Sequence, residues 1–356
     1  MAGIAGPSFF IGQDGDGLIS FGSGQPDLPP PKEIFRNLAD ERLFKYGLIQ
    51  GERRLREALS KEYPDASPEN FVITNGASEA LDLTMRVLAK APGPQKILLC
   101  RPYYYSYPYN VRFAGMEPVY TDLKEGRINL ADFRKKIGRV KAVLINSPSN
   151  PTGRIEAVAT LKEIEKICKK LGVWVISDEV YKDLIYEREN YLLKGPHVIT
   201  INSFSKTYSM CGLRIGYLWT PQRDFVQKII NMKVHTSMNT NILGQEMALK
   251  AIHAPESYVR RQVKIWRARR DLIYGDLIRL GFKLWRPEGA FYVLPKIRNS
   301  GRAVNEFYYK YKVIVYDGEW FGAPGHIRLS YALDEKKIEE GLKRIAKFLK
   351  GKERWL

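Results

Sequence analysis

The sequence predicts an α/β protein in which a large domain, built on a mostly parallel sheet covered by helices, is joined to a smaller α+β domain. Three observations lead there. The chain has 356 residues, enough for one sizeable core and a second smaller one. Up to about residue 250, short β-branched or apolar runs alternate with amphipathic stretches of helical period, the pattern of a parallel sheet with helices on both faces. Beyond a long amphipathic helix this alternation gives way to closely spaced strand-like runs with helices between and after them.

Residues 1–31 are rich in Gly, Pro and Asp and read as an extended arm that needs a body to lie on. The large domain is expected over residues 32–255. Its strand-then-helix pairs are "NFVITNG" with "ASEALDLTMRVLAK", "QKILLC" with "SYPYNVRFAG", and "KAVLINSP" with "ATLKEIEKICKKLG"; "VWVISDEV", "HVITINSFS" and "RIGYLWT" add strands. In "PESYVRRQVKIWRARRDLIYGDLIRLG", Val259, Val263, Ile265, Leu272, Ile273, Leu277 and Ile278 mark a long helix that Gly281 ends. That helix leads into residues 256–356, where "FKLWRP", "AFYVLPK", "VIVYDG" and "HIRLSYA" read as strands. "AVNEFYYKY" and "EKKIEEGLKRIAKFLK" read as helices.

Composition narrows the function classes. With 44% hydrophobic and 27% charged residues and no apolar run near the ~20 residues of a membrane span, the chain reads as soluble. Its first residues lack the charged-then-apolar pattern of a signal peptide, so a cytoplasmic location is expected. The three cysteines and four histidines are scattered, which suggests neither a disulfide framework nor a metal site. The formal charge of +18 raises nucleic acid as a partner, but bases alternate with acids as in "LKEIEKICKK", the pattern of solvated helix faces. Neither nucleic acid nor membrane is expected as a partner.

In open α/β sheets, ligands bind beyond the carboxyl ends of the strands. The predicted strand ends are polar, small or aromatic: Thr74 to Ser78, Pro102 to Tyr105, Asn146 to Gly153, Ser177 to Tyr181 and Ser203 to Lys206. Lys206, flanked by small hydroxyl residues at a strand end, is a candidate nucleophilic amine. Gly76, Ala77 and Ser78 open an amphipathic helix, where amides and dipole favour an anion.

"SFSKTYSMCGLRIGY" resembles the cofactor-lysine signature of the class I/II aminotransferases, fold-type I enzymes that use pyridoxal 5'-phosphate: Lys206 and Arg214 lie eight residues apart, with Gly212 and Gly216 beside them. "NSPSNPTG", "SDEVY" and "IRLSYA" are further motifs in the family's order, and the resemblance runs from about Phe21 to about Ala332. It implies a seven-stranded type of sheet, pyridoxal phosphate as cofactor, and a homodimer with active sites at the subunit interface.

The resemblance also implies roles. Lys206 would hold the cofactor as a Schiff base and move the substrate proton. Gly76, Ala77, Ser78, Ser203, Ser205 and Arg214 would receive the phosphate, with Tyr46 reaching it from the neighbouring subunit. Asp178 would face the pyridine nitrogen, Asn150 and Tyr181 its phenolic oxygen, and Tyr104 the ring face. Arg328, with Asn150 and the Gly24 amide, would bind the substrate carboxylate.

The reaction expected is amino transfer between an α-amino acid and a 2-oxo acid, with 2-oxoglutarate as acceptor for a broad range of donors. A decarboxylase or C–S lyase of the same fold shares the lysine, aspartate and arginine. A serine hydrolase is the rival from another class, because Ser78, Asp178 and His326 follow a hydrolase chain order. For a dicarboxylate side chain, candidate cations are Arg36, Lys233 and His235, and Asn239 is a candidate contact to the other subunit's cofactor. Phe9, Phe10 and Tyr105 would instead favour bulky apolar or aromatic amino acids.

Overall fold

The computed structural model describes residues 4, 6–13, 15, 17–350 and 355–356. In chain order the strands are β1 (Ile19–Ser20), β2 (Phe71–Thr74), β3 (Lys96–Leu99), β4 (Glu117–Tyr120), the short pair β5 (Leu123–Lys124) and β6 (Arg127–Ile128), β7 (Ala142–Asn146), β8 (Trp174–Asp178), β9 (Val198–Ser203), β10 (Gly216–Trp219), β11 (Tyr292–Val293), β12 (Val313–Ile314), β13 (Tyr316–Asp317) and β14 (Ile327–Ser330). The helices are α1 (Arg53–Ser60), α2 (Gly76–Lys90), α3 (Tyr107–Phe113), α4 (Leu130–Lys136), α5 (Val158–Leu171), α6 (Phe204–Thr207), α7 (Arg223–Lys233), α8 (Ile242–Ile252), α9 (Glu256–Arg279), α10 (Ser300–Tyr311) and α11 (Glu335–Leu349).

Seven strands form one sheet in the order β2-β10-β9-β8-β7-β3-β4. Neighbours pair in parallel except β10, which runs antiparallel to β2 and β9. Because helices cover both faces, the strands read as continuous apolar runs: every residue of β2 and β9 is buried. Val72, Leu99, Leu144 and Ile176 pack under α2, α3 and α7 on one face. On the other face Leu98, Val143 and Val175 meet α4 and α5, while Phe71, Ile73 and Trp219 meet α1 and α8.

The arm does find its body. Ile19 and Ser20 pair in parallel with Val313 and Ile314, and Phe10 and Phe21 are buried in the same apolar cluster as α9, α10 and α11. One expectation is corrected: "FKLWRP", residues 282–287, is not a strand. Phe282 is buried, but the segment lacks a ladder partner and receives a single backbone bond, from the Lys296 N–H to the Lys283 carbonyl at 2.8 Å. Among the described residues no helix is long and apolar enough to cross a membrane.

The Asn-Pro-Thr-Gly turn at residues 150–153 is tied to the segment before β11. The Glu288 and Gly289 N–H groups both donate to the Gly153 carbonyl, at 2.7 and 2.9 Å. The Glu288 carboxylate accepts the Ile155 N–H at 3.1 Å and pairs with Arg127 and Arg188 at 2.8 Å and Arg154 at 3.4 Å. Burial would raise this carboxyl, yet the Ile155 amide and the Arg127 and Arg154 guanidiniums hold it below its ordinary value.

Glu288→Ala removes the carboxylate that Arg127, Arg154 and Arg188 share. Loss of a buried ionic partner of this kind costs on the order of 3 kcal/mol. The expected result is a lower urea midpoint at unchanged slope; an unaltered midpoint would show that the cluster does not anchor the turn.

Candidate active site

The carboxyl ends of β7, β8 and β9, the start of α2 and the arm at Gly22–Gln25 enclose a cavity of about 330 Å³. Its size is that of a small-molecule site. Gly24, Ala77, Ser78, Tyr104, Asn150, Asp178, Tyr181, Ser203, Ser205, Lys206, Arg214 and Arg328 all line it.

Asp178 ends β8 and is buried. It accepts from the Tyr107 hydroxyl at 2.6 Å and the Val180 N–H at 3.2 Å. Burial pushes its pKa up to about 6, while the Tyr107 and Val180 hydrogen bonds and the Lys206 charge oppose the rise. The Asp178 carbonyl accepts from Asn146 Nδ2 at 2.9 Å, Asn146 Oδ1 accepts the Asn150 N–H at 2.8 Å, and Asn150 Oδ1 accepts from Arg328 Nη1 at 3.3 Å. Hydrogen bonds therefore run from the Asp178 backbone, not its carboxyl, through Asn146 and Asn150 to the guanidinium.

Arg328 is 2% exposed and lies in an aromatic cage, 4.7, 4.6 and 5.0 Å from the ring centres of Tyr292, Tyr316 and Phe321. It donates to the Gly22 carbonyl, and its Nε has no hydrogen-bond partner. A buried guanidinium with a free donor and no carboxylate suits an anionic ligand. Tyr181 shares a 2.8 Å hydroxyl–hydroxyl bond with Tyr292.

Lys206 lies on α6, and its Nζ donates to the Gly24 carbonyl at 2.7 Å. Burial lowers its pKa, and the nearby Arg328 and Arg214 charges lower it further, against the pull of Cys211 and Asp178. An amine kept from protonating is a nucleophile and a base. The Ser203 hydroxyl caps α6 by accepting the Ser205 N–H at 3.4 Å.

At the other end of the cavity, α2 begins without a side-chain cap. Its first-turn amides are therefore open to an external acceptor. Gly76 has φ +74°, and a Cβ there would lie 2.6 Å from Arg214 Nη2. Gly216 brings β10 against the same turn, where a Cβ would lie 2.5 Å from the Gly76 carbonyl carbon. Both glycines let the Arg214 guanidinium and the α2 amides converge with Ser203 and Ser205 on one spot. A phosphate dianion fits that donor set.

Two predicted residues do not line the cavity of their own chain: Gly76, buried in the turn behind it, and Tyr46, at 85% exposed. Lys233 is corrected as a substrate-facing cation: it is wholly buried and bound to Glu79 at 2.9 Å and Ser237 at 2.7 Å. Arg36 and His235 are exposed and Asn239 donates to the Thr240 carbonyl at 3.1 Å; none of the three lines the cavity. Phe10 is buried against Tyr316 outside the cavity, whereas Tyr105 lines it. His326 stacks on Trp285 with ring centres 5.7 Å apart and does not line the cavity, so Ser78 and Asp178 have no histidine to complete a hydrolase triad.

Sequence reasoning assigned no role to Tyr107, Asn146 or Tyr292. Asn146 stands at a strand end and was within reach of the strand-end rule. Tyr107 is one of five tyrosines between residues 103 and 109. Only the fold shows which of them meets Asp178.

A model of the class I and II aminotransferase family matches residues 16–345. A probable aspartate/prephenate aminotransferase of Aquifex aeolicus is 34% identical over 362 residues, spanning 93% of this chain and 91% of the relative. Aromatic-amino-acid aminotransferase 2 of Thermococcus litoralis is 30% identical, spanning 97% and 95%. The solved structure of an alanine aminotransferase from Pyrococcus furiosus matches with a TM-score of 0.89 at 30% identity, over 97% of this chain and 95% of that one.

The raised Asp178 pKa has a testable sign. In the folded chain the carboxyl keeps its proton up to about pH 6, whereas at its ordinary value of 3.8 an unfolded chain has already lost it. The fold therefore has its full stability from this group below about pH 3.8, loses it progressively as pH rises from there, and has lost it once pH has passed about 6. In ligand-free protein, Asp178→Asn is expected to gain stability relative to the parent between pH 5 and pH 8, by on the order of 1–3 kcal/mol. Thermal midpoints of both proteins across that range check this; a constant difference would mean that Asp178 is not desolvated.

Proposed function

Because the chain belongs to the class I and II aminotransferases, which depend on pyridoxal 5'-phosphate, we propose that its cavity performs amino transfer between an α-amino acid and a 2-oxo acid with Lys206 as the central base. One observation carries the residue assignment. A half-buried amine of lowered pKa stands in a cavity that also holds a buried acid, Asp178, and a buried guanidinium short of an acceptor, Arg328.

Pyridoxal phosphate, when bound, supplies an aldehyde that takes up amines and a ring that accepts the electron pair left at the substrate's α-carbon. The α2 amides of Gly76, Ala77 and Ser78, with Ser203, Ser205 and Arg214, would hold its phosphate. Asp178, kept in place by Tyr107 and Asn146, would hold a proton on the pyridine nitrogen. Tyr181 and Asn150 would donate to the phenolic oxygen, and Tyr104 would cover the ring face.

Lys206 Nζ would take the proton from the substrate's α-carbon and hold it for return. Arg328 receives the α-carboxylate through its planar fork, with Asn150 and the Gly24 amide beside it, and so fixes the α-carbon relative to Lys206. The acceptor 2-oxo acid uses the same groups in the reverse order. Residues 32–255 would form the cofactor domain and 256–356 the smaller one, with the 1–31 arm crossing to it.

The reading includes a cytoplasmic homodimer in which Tyr46 reaches the phosphate of the partner's site. Its support is exposure: Tyr46 at 85%, Phe44 at 76% and Leu48 at 55% put an aromatic and apolar surface in water that a second copy would cover.

Two variants test the assignment. Lys206→Ala is expected to abolish the visible absorbance band of the bound cofactor that borohydride discharges, and to slow turnover at least about a thousandfold. Retention of both would remove Lys206 from the chemistry. Arg328→Lys keeps the charge but loses the fork, and KM for amino acids should rise about 10-fold or more; an unchanged KM would place the carboxylate elsewhere.

A further inference from the structure

The cofactor cavity does not end at Tyr104. Ile11, Ser78, Leu81, Tyr104 and Tyr105 belong equally to a second, larger recess of about 1180 Å³, bounded by the arm at Pro7–Phe9 and by α3. The chain carries 57 Lys and Arg and 39 Asp and Glu, yet among the described residues not one charged side chain lines this recess. Its walls are apolar or aromatic, with Phe9, Tyr109 and Phe113 beyond the shared residues, and its polar groups are uncharged hydroxyls and one amide. Among the described residues the charged side chains that line the inner cavity are Lys206, Asp178, Arg214 and Arg328, and the proposed amino transfer uses each of them.

We propose that this recess receives the substrate's side chain, and that the enzyme's amino-acid substrates are neutral and bulky, apolar or aromatic, in preference to dicarboxylates. The inference rests on the aminotransferase reading of the inner cavity. With the α-carboxylate on Arg328 and the α-carbon at Lys206, the side chain leaves by the wall that Ile11 and Tyr105 share with the recess. A distal carboxylate placed there would give up water and meet no cation among the described residues of its own chain. An aromatic side chain would bury its own apolar surface together with that of Ile11, Phe9 and Phe113, which are exposed. The ring edges of Tyr105 and Tyr109 would add aromatic contact. Continuity with the inner cavity assigns the occupant: a groove that shares five residues with the reacting centre is filled by what is attached to the reacting carbon.

The test uses the holoenzyme and begins with two unreactive carboxylates, 3-phenylpropanoate and succinate, whose binding is followed by the shift of the cofactor's visible band and by calorimetry. 3-Phenylpropanoate is expected to bind at least about tenfold more tightly, and kcat/KM for phenylalanine and leucine to exceed that for aspartate by a similar factor. Ile11→Arg puts a cation at the shared wall and should move both ratios toward the dicarboxylates. Succinate binding as tightly as 3-phenylpropanoate in the parent enzyme, or ratios that Ile11→Arg leaves untouched, would overturn the assignment and leave the recess to a contact with a second copy. Preferential binding of 3-phenylpropanoate by an enzyme that turns over no amino acid would instead sink the aminotransferase reading while the recess kept its selectivity.

Discussion

The structure depends on holding an acid, an amine and a guanidinium out of water within one cavity without letting the charges neutralise one another by direct contact. Paired side by side, Asp178 and Arg328 would form an inert salt bridge. They are instead separated by neutral groups: Asn146 Nδ2 binds the Asp178 backbone carbonyl, Asn146 Oδ1 the Asn150 N–H, and Asn150 Oδ1 accepts from Arg328. The Asp178 carboxylate is met by the Tyr107 hydroxyl and the Val180 N–H, and Arg328 Nε is left for a ligand. Lys206, under the Gly24 carbonyl, is the third member, and the two nearby guanidiniums and burial disfavour its charged form.

The sheet makes this arrangement possible. Parallel strands deliver their carboxyl ends to one edge, and β7, β8 and β9 are adjacent in it. Asn146, Asp178 and Ser203 are therefore neighbours because they are the last residues of adjacent strands. The antiparallel β10 then enters beside β2 and β9 from the cavity end, and Gly216 opposite Thr74 lets its start lie against the first turn of α2. Arg214 stands two residues before that strand in a left-handed conformation, φ 56°, which turns the chain into the sheet beside the helix amides.

Much of this was legible in the sequence because the constraint is local. A strand end bearing Asp178, or a turn bearing Lys206, is a short segment whose residue types already conflict with a buried core. The tyrosines were legible as a group but not one by one. Tyr104, Tyr105 and Tyr107 share a composition, and their roles separate only when α3 begins at Tyr107 and aims its hydroxyl at Asp178. "FKLWRP" failed for a related reason: alternation favours a strand, but a strand also needs a partner that local sequence does not specify. Glu288 was invisible for want of any local cue, since its three arginines lie more than 90 residues away along the chain.

Lys233 shows how a charge misread from sequence can still serve the site. The first turn of α2, whose amides we assign to the cofactor phosphate, also carries Glu79, and an acid there competes with an incoming dianion. Glu79 is turned back instead. It accepts the Asn75 N–H at 2.6 Å and pairs at 2.9 Å with Lys233, which is fully buried at the end of α7. Burial lowers the pKa of Lys233, and Glu79 opposes that shift. The pair is thus electrically closed, which leaves the helix dipole, the amides and Arg214 as the field at the phosphate position. A cation that a sequence reading sends to the substrate's side chain is spent one layer deeper. With it accounted for, no cation of the described residues remains beside the recess where that side chain would lie.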